Sequence, residues 1–305
     1  MSGLSGPAVV QTAGRAAGKS AARRRRLAMT SQGRRAGRPT YLILAAVLIG
    51  SAYPLYYTLQ IASAKTEDMH DAMGFGLGSQ LWSNLSKAFG VLDFWKALTN
   101  TLIVAATCSL AMVFFCTLAG YSFAKLRFRG KGPLLIFVIA TMAIPAQLSA
   151  VPMFIIMSKL KLYGSLPAVI LPGVVTAFGV FWMTQYLETA LPYELIEAAR
   201  VDGCSMIRTF WHVAMPAARP AAAMLALFTF VAQWTNYYWP FLIIGTRAQD
   251  VPLLTLSTAR LAAGTFQDNT LIMAGVALTT FPLVALFALA GKQLVSGIMA
   301  GAVKG

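Results

Sequence analysis

The sequence predicts an all-α polytopic membrane protein with six transmembrane helices, and three observations carry that reading. Hydrophobic residues make up 57% of the chain and charged residues 11%, and the mean hydropathy is +0.65, well to the apolar side of an average soluble domain. The apolar residues gather into six uncharged runs, each near the ~20 residues that a helix needs to cross a bilayer. Between the fourth and fifth runs lies one polar, amphipathic stretch, "EAARVDGCSMIRTFWHVAMP", from Glu197 to Pro216. A chain of 305 residues with six spans has room for one membrane domain and little else.

Residues 1–39 are rich in Gly, Ala, Ser and Arg and contain no acidic residue. That composition predicts a disordered basic cytoplasmic tail. It includes "AGRAAGKS" from Ala13 to Ser20, one residue short of a phosphate-binding loop. Such a loop needs a strand to deliver it to a helix N-terminus, and the flanking sequence predicts neither, so a flexible tail is the expectation.

The membrane domain covers 40–305. Its first span is 41–61, and the "ASA" that follows at Ala62–Ala64 imitates a signal-peptide cleavage site. The apolar run is longer than a signal-peptide core, which predicts an uncleaved span. Ala64–Lys96 reads as an external loop with short amphipathic helix in "LWSNLSKAFGVLDFWKAL". The other spans are 98–123, 133–157, 166–187, 217–245 (uncharged from Ala221) and 271–291. Pro145 and Pro152 in the third and Pro167 and Pro172 in the fourth predict kinked or broken helix, which membrane proteins tolerate where neighbouring protein meets the freed carbonyls.

Charge sets the orientation. With a cytoplasmic N-terminus, 18 of the 25 Lys and Arg residues fall inside and 7 outside, which places both termini and the Glu197 stretch in the cytoplasm. The net charge of +15 is therefore largely topological, and no nucleic-acid partner is expected. Cys108 and Cys116 share one apolar run, Cys204 stands in the polar stretch, and His70 and His212 are far apart, so neither a disulfide framework nor a metal site is expected.

The polar stretch belongs to a cytoplasmic loop, 188–216. Pro192 suits a first helical turn, Glu194 and Glu197 lie where the helix dipole favours anions, and Arg200 lies late. Gly203 is expected to end that helix, Ser205 to cap a second short helix through Trp211, and Pro216 to open the fifth span. Ala198 and Ala199 form a patch of small side chains that another surface can approach. A loop that only joined two spans would need a few residues.

This loop resembles the cytoplasmic signature of the permease subunits of binding-protein-dependent ABC importers. That signature is Glu-Ala-Ala, three residues, Gly, nine residues, then aliphatic, any, aliphatic, Pro, and here it is Glu197-Ala198-Ala199, Gly203, Val213, Met215 and Pro216. "FVAQWTNYYWPF" (Phe230–Phe241) resembles the fifth-span segment of carbohydrate permeases, departing from it at Thr235 and Asn236. "GIMAGAVKG" (Gly297–Gly305) resembles the tail of the second permease subunit in maltose-type systems.

The resemblance implies a MetI-like permease fold in a bacterial cytoplasmic membrane and a sugar substrate, a disaccharide or oligosaccharide. It also implies a second permease subunit, two ATPase subunits that bind ATP and Mg, and a solute-binding protein. This chain itself would hold no cofactor and catalyse no covalent step. In the family the loop is a coupling helix seated on the ATPase, so Glu197, Ala198, Ala199, Gly203 and Pro216 become the coupling residues. By the same resemblance Ala302, Val303, Lys304 and Gly305 contact the ATPase. The outer loop Thr246–Asn269 faces the binding protein, with Gln249, Asp250 and Gln267 as polar candidates.

The spans carry no ionisable residue in their interiors, which disfavours a proton-coupled carrier and suits a neutral solute. Candidates for the solute path are Asn100, Gln147, Gln233, Trp234, Asn236 and Tyr237, because amides meet sugar hydroxyls and aromatic faces meet ring faces. Two plainer readings stand beside them: Tyr237, Tyr238 and Trp239 as an interfacial belt, and Gln147 and Gln233 as interhelical hydrogen bonds. The alternatives are a permease for a polyamine or glycerol phosphate, and an ion-driven carrier.

Overall fold

A computed structural model describes residues 37–66, 76–263 and 268–302, with side chains described up to residue 288 in the last of these. The chain divides into two compact units, Met1–Tyr57 and Thr58–Gly305. The expected disordered tail lies almost wholly outside the described residues, as does His70.

Helix α1, Arg38–Ser63, crosses the boundary between the units, and its residues in the first unit are almost all exposed. In the second unit its last turn is buried. Ser63 Oγ donates to the Gln60 carbonyl and accepts from Gly78 N, each at 2.7 Å. Asn84 of α2, Leu81–Val91, donates to the Ala62 and Ala64 carbonyls at 2.9 and 3.1 Å. The cleavage-like "ASA" is thus folded structure. The amphipathic helix expected across 81–98 ends at Val91, because Asp93 takes a left-handed backbone, φ 44, and precedes a new helix.

That helix, α3 (Phe94–Lys125), starts earlier than the 98–123 expected and forms the centre of the unit. The third apolar run is α4 (Lys131–Thr141), one 3₁₀ turn (Ala146–Ser149) and α5 (Ala150–Lys159), bent by 95°. The break falls before Pro145, as expected. Pro152 breaks nothing, since it sits in the first turn of α5, where no N–H is required.

The fourth run is α6 (Leu166–Ile170) continued by a 3₁₀ turn to Gly173, then α7 (Ala177–Ala190), bent by 41°. Helix α3 packs along α7 and along α10, introduced below. A Cβ on Gly120 of α3 would meet Met183 Cβ of α7 at 2.7 Å. Backbones approach this closely only through small residues, a common device in membrane helix packing.

The loop contains α8 (Tyr193–Val201) and α9 (Met206–Thr209). Contrary to expectation, α9 does not stop at Trp211 and Pro216 does not open a span. A π turn, Phe210–Ala214, joins α9 directly to α10 (Met215–Trp234). The widened turn stands just before Pro216, and Pro220 follows inside the same helix.

The fifth run, expected as one helix over 217–245, is also broken. It ends at Trp234, and α11 (Tyr238–Ile244) begins after a three-residue break. Pro240 stands in the first turn of α11 and has no N–H for the carbonyl four residues earlier, that of Asn236. Helix α12 (Leu254–Ala262) and the long α13 (Asn269–Ala302) complete the chain.

Among the described residues, four helices are long and apolar enough to cross a membrane, or up to six spans if each bent pair is one, and no strand occurs. Large apolar side chains lie exposed, including Leu110 (73%), Ile136 (69%) and Phe281 (71%). Hydrocarbon exposed on this scale marks a surface that lipid or a partner covers.

Candidate functional site

Two features carry the candidate site. The first is the loop. Helix α8 ends on a glycine whose role is conformational: Gly203 has φ +78, with open space where a Cβ would be. Its N–H donates to the Arg200 carbonyl at 3.0 Å and Cys204 N donates to the Ala199 carbonyl at 2.9 Å. These two bonds form a Schellman cap, which satisfies the last carbonyls and turns the chain sharply. Ser205 then caps α9, its hydroxyl accepting from Arg208 N at 3.3 Å.

The small-residue patch is divided between two faces. Ala199 is buried, 7% exposed, beside Ile196 at 2%, so both serve the inner face. Ala198, Glu197 and Gly203 lie on the exposed face. Apolar residues join them there: Leu195 (50%), Val201 (88%), Met206 (57%) and Ile207 (73%). Pro216 is half-buried in continuous helix, away from that face. Charged residues flanking exposed aliphatic ones make a surface suited to a protein partner.

The second feature is a cavity of about 380 Å³ where the three broken runs meet. Gln147 comes from the turn after the third-run break, Thr176 from the fourth-run break, and Gln233 and Asn236 from the fifth-run break. Tyr238 and Trp239 add aromatic faces. No charged residue lines it. Trp239 Nε1 donates to the Ala168 carbonyl at 3.1 Å, which orients the indole. The Gln233 Oε1 is buried and makes no hydrogen bond to another described protein group. A cavity of this size and mixed lining suits a small polar molecule with apolar faces.

The structure therefore brings together Gln147, Gln233 and Asn236 and leaves out the other path candidates. Trp234 is 4% exposed and stacks on Phe230 at 5.6 Å, inside an apolar cluster with Leu92 and Leu254. Asn100 is occupied by the Pro252 carbonyl at 2.9 Å. Tyr237 stacks on Phe241 at 5.3 Å and lines a different pocket with Gln249 and Arg260. Of the three belt candidates, Trp239 turns its polar edge into the protein.

Gln249 and Asp250 are exposed around a 3₁₀ turn, Gly245–Gln249, while Gln267 lies outside the described residues. Ala302 ends α13, and Val303, Lys304 and Gly305 also lie outside them. Sequence reasoning missed Asp268, which caps α13. Its carboxylate accepts from Thr270 N at 3.0 Å, Thr270 Oγ1 at 2.6 Å, Leu271 N at 3.3 Å and Thr66 Oγ1 at 3.1 Å. Burial pushes the carboxyl up, but these bonds outweigh it and hold the group below its ordinary value. The signal was present in "DNT", an aspartate ahead of an apolar run. Among the described residues no cluster of metal-ligating side chains occurs.

Residues 113–298 match the model of the family described as "Binding-protein-dependent transport system inner membrane component". The chain is 30% identical over 212 residues to the arabinooligosaccharides transport system permease protein of Halalkalibacterium halodurans, covering 70% of this chain and 75% of that one. It is 27% identical over 265 residues to the sn-glycerol-3-phosphate transport system permease protein of Yersinia pestis, covering 85% and 93%. Among solved structures it resembles a chain of a bacterial ABC transporter involved in the import of the acidic polysaccharide alginate. That likeness has a TM-score of 0.69 at 21% identity and covers 85% of this chain and 99% of the other.

Proposed function

The chain belongs to the family of inner membrane components of binding-protein-dependent transport systems, and on that premise we propose that it is one half of the pore of an ATP-driven sugar importer. The observation that carries this is the family's cytoplasmic signature, presented here as a helix closed by Gly203, with Glu197, Ala198 and Val201 exposed. In this reading α8 is the coupling helix. Two ATPase subunits, which bind ATP and Mg, seat against it; a second permease subunit completes the pore; and a solute-binding protein delivers the sugar to the outer face near Gln249 and Asp250. Both termini are cytoplasmic, which the distribution of Lys and Arg supports.

The solute, a disaccharide or oligosaccharide, passes the cavity of Gln147, Gln233 and Asn236. Amides there accept and donate hydrogen bonds to hydroxyls, and Tyr238 and Trp239 offer faces to a sugar ring. ATP-driven closure of the partners displaces α8, and the bundle alternates between inward and outward openings around the cavity. The relative that carries glycerol phosphate favours a second reading, an anionic solute. The absence of a cationic side chain from the cavity lining weighs against it, because phosphate recognition relies on Lys, Arg or converging N–H groups.

Uptake by the complex in proteoliposomes, with labelled arabinotriose, lactose and sn-glycerol 3-phosphate as probes, separates these readings. ATP-dependent uptake of a sugar, insensitive to ionophores, is expected. Uptake of the phosphate ester alone would overturn the sugar reading, and uptake driven by an ion gradient without ATP would overturn the importer.

A further inference from the structure

Lys125 closes α3 with a side chain only 5% exposed. Its Nζ donates to the Glu188 carbonyl, in the last turn of α7, at 3.0 Å. The same ammonium lies 4.6 Å from the centroid of the Tyr193 ring, the first residue of α8. Tyr193 in turn donates its hydroxyl to the Ala124 carbonyl of α3 at 3.4 Å. One buried charge thus joins the cytoplasmic ends of two membrane helices to the start of the loop helix.

Orientation in the membrane does not explain this burial. Arg127 and Arg129 follow within four residues, are exposed, and mark the cytoplasmic side without desolvation. A buried ammonium is kept only where its partners are fixed, which makes such a contact directional. Another anchor of α8 is apolar: Ile196 packs in the cluster with Tyr121, Phe123 and Phe210, and contacts of that kind attract without fixing an angle.

Helix α7 then runs from Glu188 to its cap, Thr176, whose hydroxyl accepts from Gly179 N at 3.1 Å and which also lines the cavity. Twelve residues of helix span about 18 Å as a stiff rod.

We infer that Lys125 is a positioning residue that fastens the coupling helix to α3 and α7, so that displacement of α8 is delivered through α7 to the cavity. The inference rests on the reading of α8 as the coupling helix.

The test uses the complex purified from native membranes through this chain, in lipid nanodiscs, and follows hydrogen exchange with and without AMP-PNP and Mg²⁺. In the wild type, nucleotide changes exchange both in α8 and in the segment 173–179 beside the cavity. In Lys125→Met the change in α8 persists and the change at 173–179 falls at least about threefold, roughly the loss of 0.6 kcal/mol of coupling. Lys125→Arg, which keeps the charge, recovers most of it.

A lysine with a purely structural role would alter exchange equally with and without nucleotide. Should Lys125→Met fail to assemble, Tyr193→Leu removes the ring, keeps the lysine, and is expected to give the same loss. Full propagation in either assembled variant overturns the inference. No nucleotide response anywhere in the wild type overturns the coupling-helix reading beneath it.

Discussion

The carbonyl of Asn236 accepts the hydroxyl of Thr255 at 3.0 Å, a bond from α12 to the break in the fifth run. The Asn236 carbonyl lies four residues before Pro240, which has no N–H to offer it, and α12 supplies a donor instead. Thr255→Val keeps the shape and removes that donor. The expected outcome is a loss of about 1 kcal/mol, read as a lower thermal midpoint in detergent, with Thr255→Ser near wild type. An unchanged midpoint in Thr255→Val would show that the carbonyl is met in another way.

Gln233 and its neighbour Trp234 point to different parts of the protein, which separates their substitutions. Gln233→Leu is expected to leave assembly intact and weaken sugar uptake about tenfold at low substrate, the effect of roughly 1.4 kcal/mol. Trp234→Ala empties a filled position in an apolar cluster and is expected to cost about 3–5 kcal/mol of stability. Initial uptake rates across substrate concentration, beside thermal midpoints of the same preparations, make the comparison. The reverse pattern would place the path on the Trp234 side.

Asp268 makes the start of α13 sensitive to acid. Its carboxyl is held below the ordinary value, so ionised Asp268 stabilises the folded cap above the unfolded aspartate value of about 3.9. That contribution is lost as pH falls through the lower folded value. Exchange protection of amides 270–273, measured against global protection, should fall at the acid end in the wild type and be lower and flat with pH in Asp268→Ala, which has no cap oxygen. A variant with wild-type protection at neutral pH would remove the cap from the account of α13.

What could be read from the sequence followed from local rules. Pro145 marked a break, although Pro54, Pro220 and Pro282 stand inside continuous helices, and Gly203 announced a helix end because a left-handed residue there is a local requirement. Pro240 carried the same information about Asn236, yet the run around it is uniformly apolar and reads as continuous. The faces of Ala198 and Ala199 were not legible, since tertiary packing decides which side of an amphipathic helix turns inward. The cavity was legible only as scattered amides: Gln147 and Gln233 lie far apart in the chain, and nothing local says that they meet. Lys125 read as one more cytoplasmic positive charge, because its burial comes from the close approach of Glu188 and Tyr193.

The most direct test of the coupling loop is quantitative mass spectrometry of the proteins that co-purify with the tagged chain in mild detergent, wild type against Gly203→Pro. Proline cannot take φ +78 and removes the N–H that donates to Arg200, so the helix end is lost while the spans are untouched. A second permease and an ATPase are expected with the wild type, and the permease without the ATPase in the variant. Equal recovery of the ATPase in both samples, or a stable wild-type complex with no ATPase, would contradict the role given to this loop.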